Sequence, residues 1–295
     1  MNSIRHFFWS VLIIGGKALG WTKITHVSIC GVPLGERLFR LSHTLFRPPN
    51  PARTADNNIM YLPRPSLLGT ALAVKGVYEP ATTAFFKEAL KPGMTVVDVG
   101  ANVGYYTLLA ARLVGGEGRV YAFEPEPENF ALLEKNVQAN GFRNVVCLQQ
   151  AVSDRCGRVP FYLSWGSEAH SLSAEVSSTS RSIEVASTSL DDFFRKEGWP
   201  SIDLIKMDIE GAETLALEGM KELIERSNNL SIITEFSQAT TREAGVEPSS
   251  VPGRLHGMGF HIRVIDEVNW LQPRHMFKIL PHYQNLLCER GVKQS

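Results

Sequence analysis

The chain has 295 residues, 44% of them hydrophobic, enough for one large domain with additional segments or for two small ones. Lys and Arg number 30, as do Asp and Glu, so the net charge is zero and no long-range field for nucleic acid or an acidic polymer is expected. Four cysteines, Cys30, Cys147, Cys156 and Cys288, form no C-x-x-C pair, which argues against a disulfide framework or zinc site and for a reducing compartment.

The N-terminal "RHFFWSVLIIGGKALG" has a basic start and an apolar run at residues 7–16, too short to span a bilayer, which needs ~20 residues. Ala18-x-Gly20 behind it resembles a signal-peptide cleavage site, but Lys17 interrupts the approach. A helix that packs on the domain or contacts a membrane surface is the preferred reading, in a cytoplasmic protein. "FRPPNPARTADNN" at residues 46–58 reads as a Pro- and Asn-rich linker, which divides the chain into an N-terminal segment, 1–62, and a domain, 63–295.

From residue 63 the pattern is regular. "SLLGTALAVKG" reads as a strand pair or an extended lead-in. "PATTAFFKEALKPG" predicts a helix, started by Pro80 and stopped by Pro92-Gly93. "TVVDVG" predicts a buried strand, "GYYTLLAARLVGG" a helix, "RVYAFEP" a second strand and "PENFALLEKNVQANG" a helix closed by Asn140-Gly141. "NVVCLQQAVSD" reads as a third strand. Residues 164–189 are Ser-rich and without clear period, too long for an ordinary connection. "IDLIKMDIEG" predicts a fourth strand, "AETLALEGMKELIER" a helix and "LSIITEF" a fifth strand, while "GFHIRVID" and "YQNLLCER" read as a closing pair. This alternation predicts an α/β fold with a parallel sheet covered on both faces.

In such sheets ligands bind beyond the carboxyl ends of the strands, where "DVGANVG" lies. Gly100 and Gly104 permit a tight turn and leave room for a ligand. Glu124 ends the second strand 20 residues past Gly104, where an acid can accept both hydroxyls of a ribose. The pattern departs from the dinucleotide fingerprint: Asn102 stands at the middle glycine and Asp98 precedes the turn, where a carboxylate repels a pyrophosphate. A cationic ligand suits that acid, which points to S-adenosylmethionine, with its ammonium and sulfonium beside a ribose. A nicotinamide-dependent oxidoreductase and a non-catalytic cofactor-binding protein are the competing readings.

"DVGANVGYYT" and "KMDIEGAE", with "YEP" and "TSLDDFF", make residues 76–235 similar to the FkbM family of S-adenosylmethionine-dependent methyltransferases. The resemblance implies a class I methyltransferase fold, a Rossmann-like three-layer sandwich with a seven-stranded, mostly parallel sheet whose last strand, "YQNLLCER", is antiparallel. It implies O-methylation of a hydroxyl on a sugar, polysaccharide or secondary metabolite. It places Asp98, Gly100, Asn102 and Gly104 at the methionine half of the cofactor, Glu124 at the ribose, Gln150 at the adenine and Glu79 over the cofactor; Glu79 reads equally as a solvated acid at a helix start.

On the acceptor side, Lys206, Asp208 and Glu210 share strand parity, and Glu213 follows. Asp208 or Glu210 is a candidate general base; alternatively Asp208 and Glu235 hold a Mg²⁺ that lowers the acceptor's pKa. His170 in the Ser-rich segment is a further candidate base or acceptor contact, and Trp165 beside it a surface for a sugar face or an anchor for the segment. His261 reads as structural. The expected partner is a small-molecule or glycan acceptor, not nucleic acid, with membrane-surface contact by the N-terminus. Neither the acceptor's identity nor the oligomeric state is legible.

Overall fold

The computed structural model describes residues 28–29, 32–33, 48–63, 66–163, 172, 181–236, 250–266, 270–272 and 284–290. The N-terminal apolar run, Trp165 and His170 lie outside these residues. Among the described residues no helix is long and apolar enough to cross a membrane. The chain divides into two units, 1–78 and 79–295.

The first unit holds two short antiparallel pairs, β1 (Ser28–Ile29) with β2 (Val32–Pro33) and β3 (Ala52–Arg53) with β4 (Ile59–Met60). The described part of the stretch read as a linker, from residue 48, is therefore in a tied hairpin. The Asn50 side chain donates to Leu62 O at 2.8 Å and accepts from Leu62 N–H at 3.1 Å, and Thr54 Oγ1 accepts from Asn58 N–H. "SLLGTALAVKG" is a helix, α1 (Leu67–Lys75), not a strand pair. Ser66 Oγ accepts from Gly69 N–H at 3.0 Å and Gly76 closes the end at φ 69°, so a capping serine, good helix formers and a left-handed glycine outweigh the apolar run.

The second unit begins with α2 (Pro80–Ala89), then β5 (Thr95–Val99), α3 (Tyr105–Val114), β6 (Arg119–Phe123), α4 (Pro127–Ala139) and β7 (Val145–Leu148). β8 (Ala151–Val152), β9 (Gly157–Tyr162) and β10 (Ser182–Thr188) precede α5 (Leu190–Lys196) and β11 (Leu204–Met207). α6 (Glu213–Glu218), α7 (Lys221–Arg226), β12 (Ser231–Phe236), α8 (Ser250–Gly257), β13 (His261–Asp266), β14 (Trp270–Gln272) and β15 (Gln284–Glu289) complete it.

The main sheet runs β14-β13-β15-β12-β11-β5-β6-β7. β7, β6, β5, β11 and β12 are mutually parallel, and β15 is antiparallel to both β12 and β13. Seven of these strands form the class I methyltransferase sheet with its antiparallel last strand. The eighth, β14, adds antiparallel to the edge strand β13. Apart from Asp98, Lys206 and a few other polar positions, the central strands are apolar because both faces are covered: Val97, Val99, Phe123, Ile205, Met207 and Ile232 pack in one core with Leu190 and Phe194 of α5.

A second sheet, β8-β10-β9, was not legible. "NVVCLQQAVSD" breaks into two strands, because Leu148 ends the ladder with β6 and Ala151–Val152 pair with Ser187–Thr188 instead. Part of the Ser-rich segment is thus β10, held against β9 over six residue pairs, with Ala151, Phe161 and Val185 as a small core. The helix expected over "AETLALEGMKELIER" breaks in two at Gly219. A Cβ there would lie 2.1 Å from Ser153 O, so the backbone passes too close to the preceding connection for an ordinary residue. Asp191 caps α7, accepting from Glu222 N–H at 3.0 Å and Leu223 N–H at 2.8 Å.

Candidate active site

The turn after β5 is built from left-handed residues: Gly100 at φ 79°, Asn102 at φ 50° and Gly104 at φ 94°. The N–H groups of Gly100 and Ala101 both donate to Phe123 O, at 3.0 and 2.9 Å. A Cβ on Gly100 would lie 2.0 Å from the carbonyl oxygen of Asp208. The missing side chain therefore makes room for the β11 loop, where the sequence suggested room for a ligand. At Gly104 a Cβ would meet Leu133 Cδ1 at 2.7 Å, so this glycine lets α3 approach α4.

Glu124 is only 4% exposed. Its Oε2 accepts from Asn102 N–H at 2.8 Å and its Oε1 from Glu126 N–H at 2.9 Å. Burial pushes its carboxyl up to about 8, against the pull of those two N–H groups. Each oxygen keeps a lone pair for a ligand hydroxyl.

A cleft opens here. Gly100, Asn102, Glu124 and Gln150 line one part and Asp208 and Glu210 another, so six residues singled out from the sequence share one wall. Asp98, Gly104, Glu79 and Glu235 do not line it. The sequence reading missed Asn129, Val152, Phe161, Leu172 and Ile209, which do. Phe161 and Val152 reach the cleft on the second sheet; the alternating "RVPFY" of β9 was the one available signal.

Behind the cleft lies a polar row. Lys206 is the direct neighbour of Asp98 in the β5–β11 ladder, and Glu235 of Asn285 in the β12–β15 ladder. Lys206 is 1% exposed, and its Nζ donates to Asp208 Oδ2 at 3.0 Å. It also sits 5.3 Å from the centre of the Tyr106 ring. Burial opposes the ammonium, but Asp208, Glu79 and Glu235 outweigh it and raise Lys206 above the ordinary lysine range. Glu79 stands at the N-cap of α2 with φ 40°, without a capping bond from its side chain. Its Oε2 accepts from Tyr106 OH at 2.5 Å and from Asn285 Nδ2 at 3.0 Å. Asp98 Oδ2 accepts from Thr107 Oγ1 at 2.5 Å; burial pushes Asp98 up to about 6, with Thr107 and Lys206 pulling down.

Asp208 and Glu235 share a hydrogen bond and divide their proton unequally. Burial acts to raise Asp208, but Lys206 and the bond from Glu235 hold it below the usual range. Burial, then the charges of Asp208 and Glu210, raise Glu235 well above it. Of the two, Asp208 is held toward the anion and Glu235 toward the protonated form. Asp208 is 28% exposed, so the anion faces the cleft.

Glu210 is not in strand conformation, since β11 ends at Met207 and Glu210 has φ 48°. It nevertheless lines the cleft. Glu213 folds back, accepting from Gly211 N–H at 3.2 Å, and burial pushes it up to about 7. Asp208, Glu210 and Glu235 each offer an oxygen within 4.8 Å of the others. Asp208 of that trio is already paired with the buried Lys206 ammonium, so a divalent cation there would compete with that charge. The cleft fits S-adenosylmethionine better: a glycine turn, a buried acid with free lone pairs and an anion on the far part.

Sheet order, glycine turn and acid at the end of β6 define a class I methyltransferase scaffold. The family model for the FkbM methyltransferase domain matches residues 98–271, more than half of the chain. The chain belongs to the FkbM methyltransferase family. It is 32% identical to the 31-O-demethyl-FK506 methyltransferase FkbM of Streptomyces tacrolimicus, with 45% of this chain and 62% of that one covered. It is 29% identical to the 2-O-methyltransferase NoeI of Sinorhizobium fredii, over 50% of this chain and 65% of that one. It is 30% identical to the hexuronic acid methyltransferase AglP of Haloferax volcanii, over 52% of this chain and 58% of that one. The chain thus spans less than two thirds of the length of each of these relatives.

Proposed function

We propose that this protein is an S-adenosylmethionine-dependent O-methyltransferase acting on a hydroxyl of a sugar, polysaccharide or secondary metabolite. The observation that carries the reading is the single cleft joining Glu124, Asn102 and Gln150 to the Asp208 anion. The three relatives support the acceptor class, since their names describe methyl transfer to a demethylated FK506 oxygen, to a 2-oxygen and to a hexuronic acid.

Glu124 would hold the two ribose hydroxyls, Gln150 and Phe161 would flank the adenine, and the Gly100–Asn102 backbone would face the methionine half. S-adenosylmethionine supplies a methyl group already activated on a sulfonium. The remaining task of the protein is alignment, and holding two reactants in line is worth ~7–11 kcal/mol. Asp208 accepts the hydrogen bond of the acceptor hydroxyl and fixes where its oxygen points. A hydroxyl oxygen becomes strongly acidic as it is alkylated, so even a carboxylate kept below the usual range by Lys206 can take its proton. Magnesium is not required in this reading, because Lys206 supplies the local positive charge.

The test is filter binding and turnover with radiolabelled S-adenosylmethionine and an acceptor panel of glycosides and polyketide alcohols. Saturable cofactor binding with label on an acceptor oxygen is expected. Binding of NAD in place of S-adenosylmethionine, or cofactor binding with no labelled product on any hydroxyl acceptor or host extract, would overturn it.

A further inference from the structure

Asn285 stands in β15, opposite Glu235 across the antiparallel ladder, so both side chains leave the same face of the sheet. It is 5% exposed. Its Nδ2 donates to Glu79 Oε2 and to Thr82 Oγ1, each at 3.0 Å. Those two bonds use both amide hydrogens and set the amide's orientation. Flipped, the amide would turn its oxygen on the Glu79 carboxylate, two acceptors with no proton between them. The Oδ1 atom is therefore directed away from Glu79, and it is buried without a hydrogen-bond partner among the described residues. A buried carbonyl oxygen left so is costly, and such atoms in native proteins call for an explanation.

We propose that Asn285 Oδ1 is a subsite for the methyl acceptor, taking a hydrogen bond from a second hydroxyl of a polyhydroxylated molecule whose first hydroxyl lies at Asp208. The inference rests on the methyltransferase reading and extends it to a residue outside the cleft wall.

Two facts assign the acceptor, not the cofactor, to this atom. The first is distance. The order β5-β11-β12-β15 sets Asn285 three strands from the glycine turn, roughly 14 Å at the usual strand spacing, but two strands, roughly 10 Å, from the strand that carries Asp208. A sugar ring with a hydrogen bond at each side covers the shorter gap. The second is chemistry. Glu79, Asp208 and Asn285 Oδ1 are all acceptors, and the buried cation beside them among the described residues, Lys206, already donates to Asp208. A ligand completing the row must bring donors, and a polyol brings several.

Calorimetric titration tests this. The protein saturated with S-adenosylhomocysteine is titrated with 4-nitrophenyl β-D-glucuronide and with 4-nitrophenyl β-D-glucoside. The variants are Asn285→Leu, which keeps the shape, and Asn285→Ser, which keeps a donor for Glu79 and remains informative if the leucine variant does not fold. The expected result is binding of at least one glycoside by the wild type, weakened about tenfold or more in the variants, with S-adenosylhomocysteine affinity within about twofold. Unchanged glycoside affinity in the variants overturns the proposal, as does loss of S-adenosylhomocysteine affinity instead, or a wild type that binds neither glycoside. A wild type that does not bind S-adenosylhomocysteine overturns the methyltransferase reading itself and the subsite with it.

Discussion

The carbonyl oxygen of Asp208 occupies the place where a side chain on Gly100 would begin, 2.0 Å from the position of a Cβ. The turn after β5 and the loop after β11 are thus held backbone to backbone, and the Glu124 and Asp208 ends of the cleft keep a fixed relation. Gly100→Ala adds one methyl group into that contact at a φ of 79°. We expect a loss of about 2–5 kcal/mol, from the left-handed conformation and the overlap together. Urea unfolding measures it, and an unchanged midpoint would show that the two loops can separate freely.

We expect Glu124 to make cofactor binding depend on pH. Its carboxyl is pushed to about 8, so it is mostly protonated in the free protein at neutral pH. In the proposed complex two ribose hydroxyls would donate to the ionised form, so binding would draw the proton off. Affinity should therefore rise with pH up to about 8 and level off above it, with a proton released at pH 7. Calorimetry in two buffers of different ionisation heat counts that proton. Glu124→Gln should abolish both the release and the slope; a wild-type affinity independent of pH from 6 to 9 removes Glu124 from the ribose.

Asp208→Asn keeps the size of the side chain and removes its charge. Turnover should fall about 10²-fold or more, while cofactor affinity changes by less than about tenfold. A chelator should leave the wild-type rate unchanged, because Lys206 already neutralises Asp208. Rate loss restored by Mg²⁺ would instead assign the acid trio to a metal. Near-wild-type turnover in the asparagine variant would move the base to Glu210.

Lys206 is buried with three acids around it. Lys206→Met leaves those carboxyls without their cation and should cost about 3 kcal/mol at pH 8. The sign with pH follows from the acids: at pH 5 the unpaired carboxyls take up protons, so the deficit shrinks. Urea midpoints at the two pH values test this, and a deficit equal at both would show that packing, not charge, is what Lys206 contributes.

Much of this protein was legible because its signals are local. The apolar runs of β5, β6, β11 and β12 and the Asp98–Gly104 turn each need only neighbours in the chain to be recognised, and so does the acid closing β6. That is why the sheet, and the positions of Gly100 and Glu124 at its carboxyl end, followed from residue order, whereas Asn102 and Gln150 were placed by the family resemblance. The tertiary structure decided what depends on approach between distant segments. Ser153 O leaves no room for a side chain at Gly219, and Asp208 O leaves none at Gly100. Thr188 and Ser187 pull Ala151–Val152 out of the expected third strand into a second sheet that carries Phe161 to the cleft. Parity could align Lys206 with Asp208, but only the packing of Tyr106, Glu79 and Glu235 around them pushes the two carboxyls in opposite directions, because burial and charge sum over groups far apart in sequence.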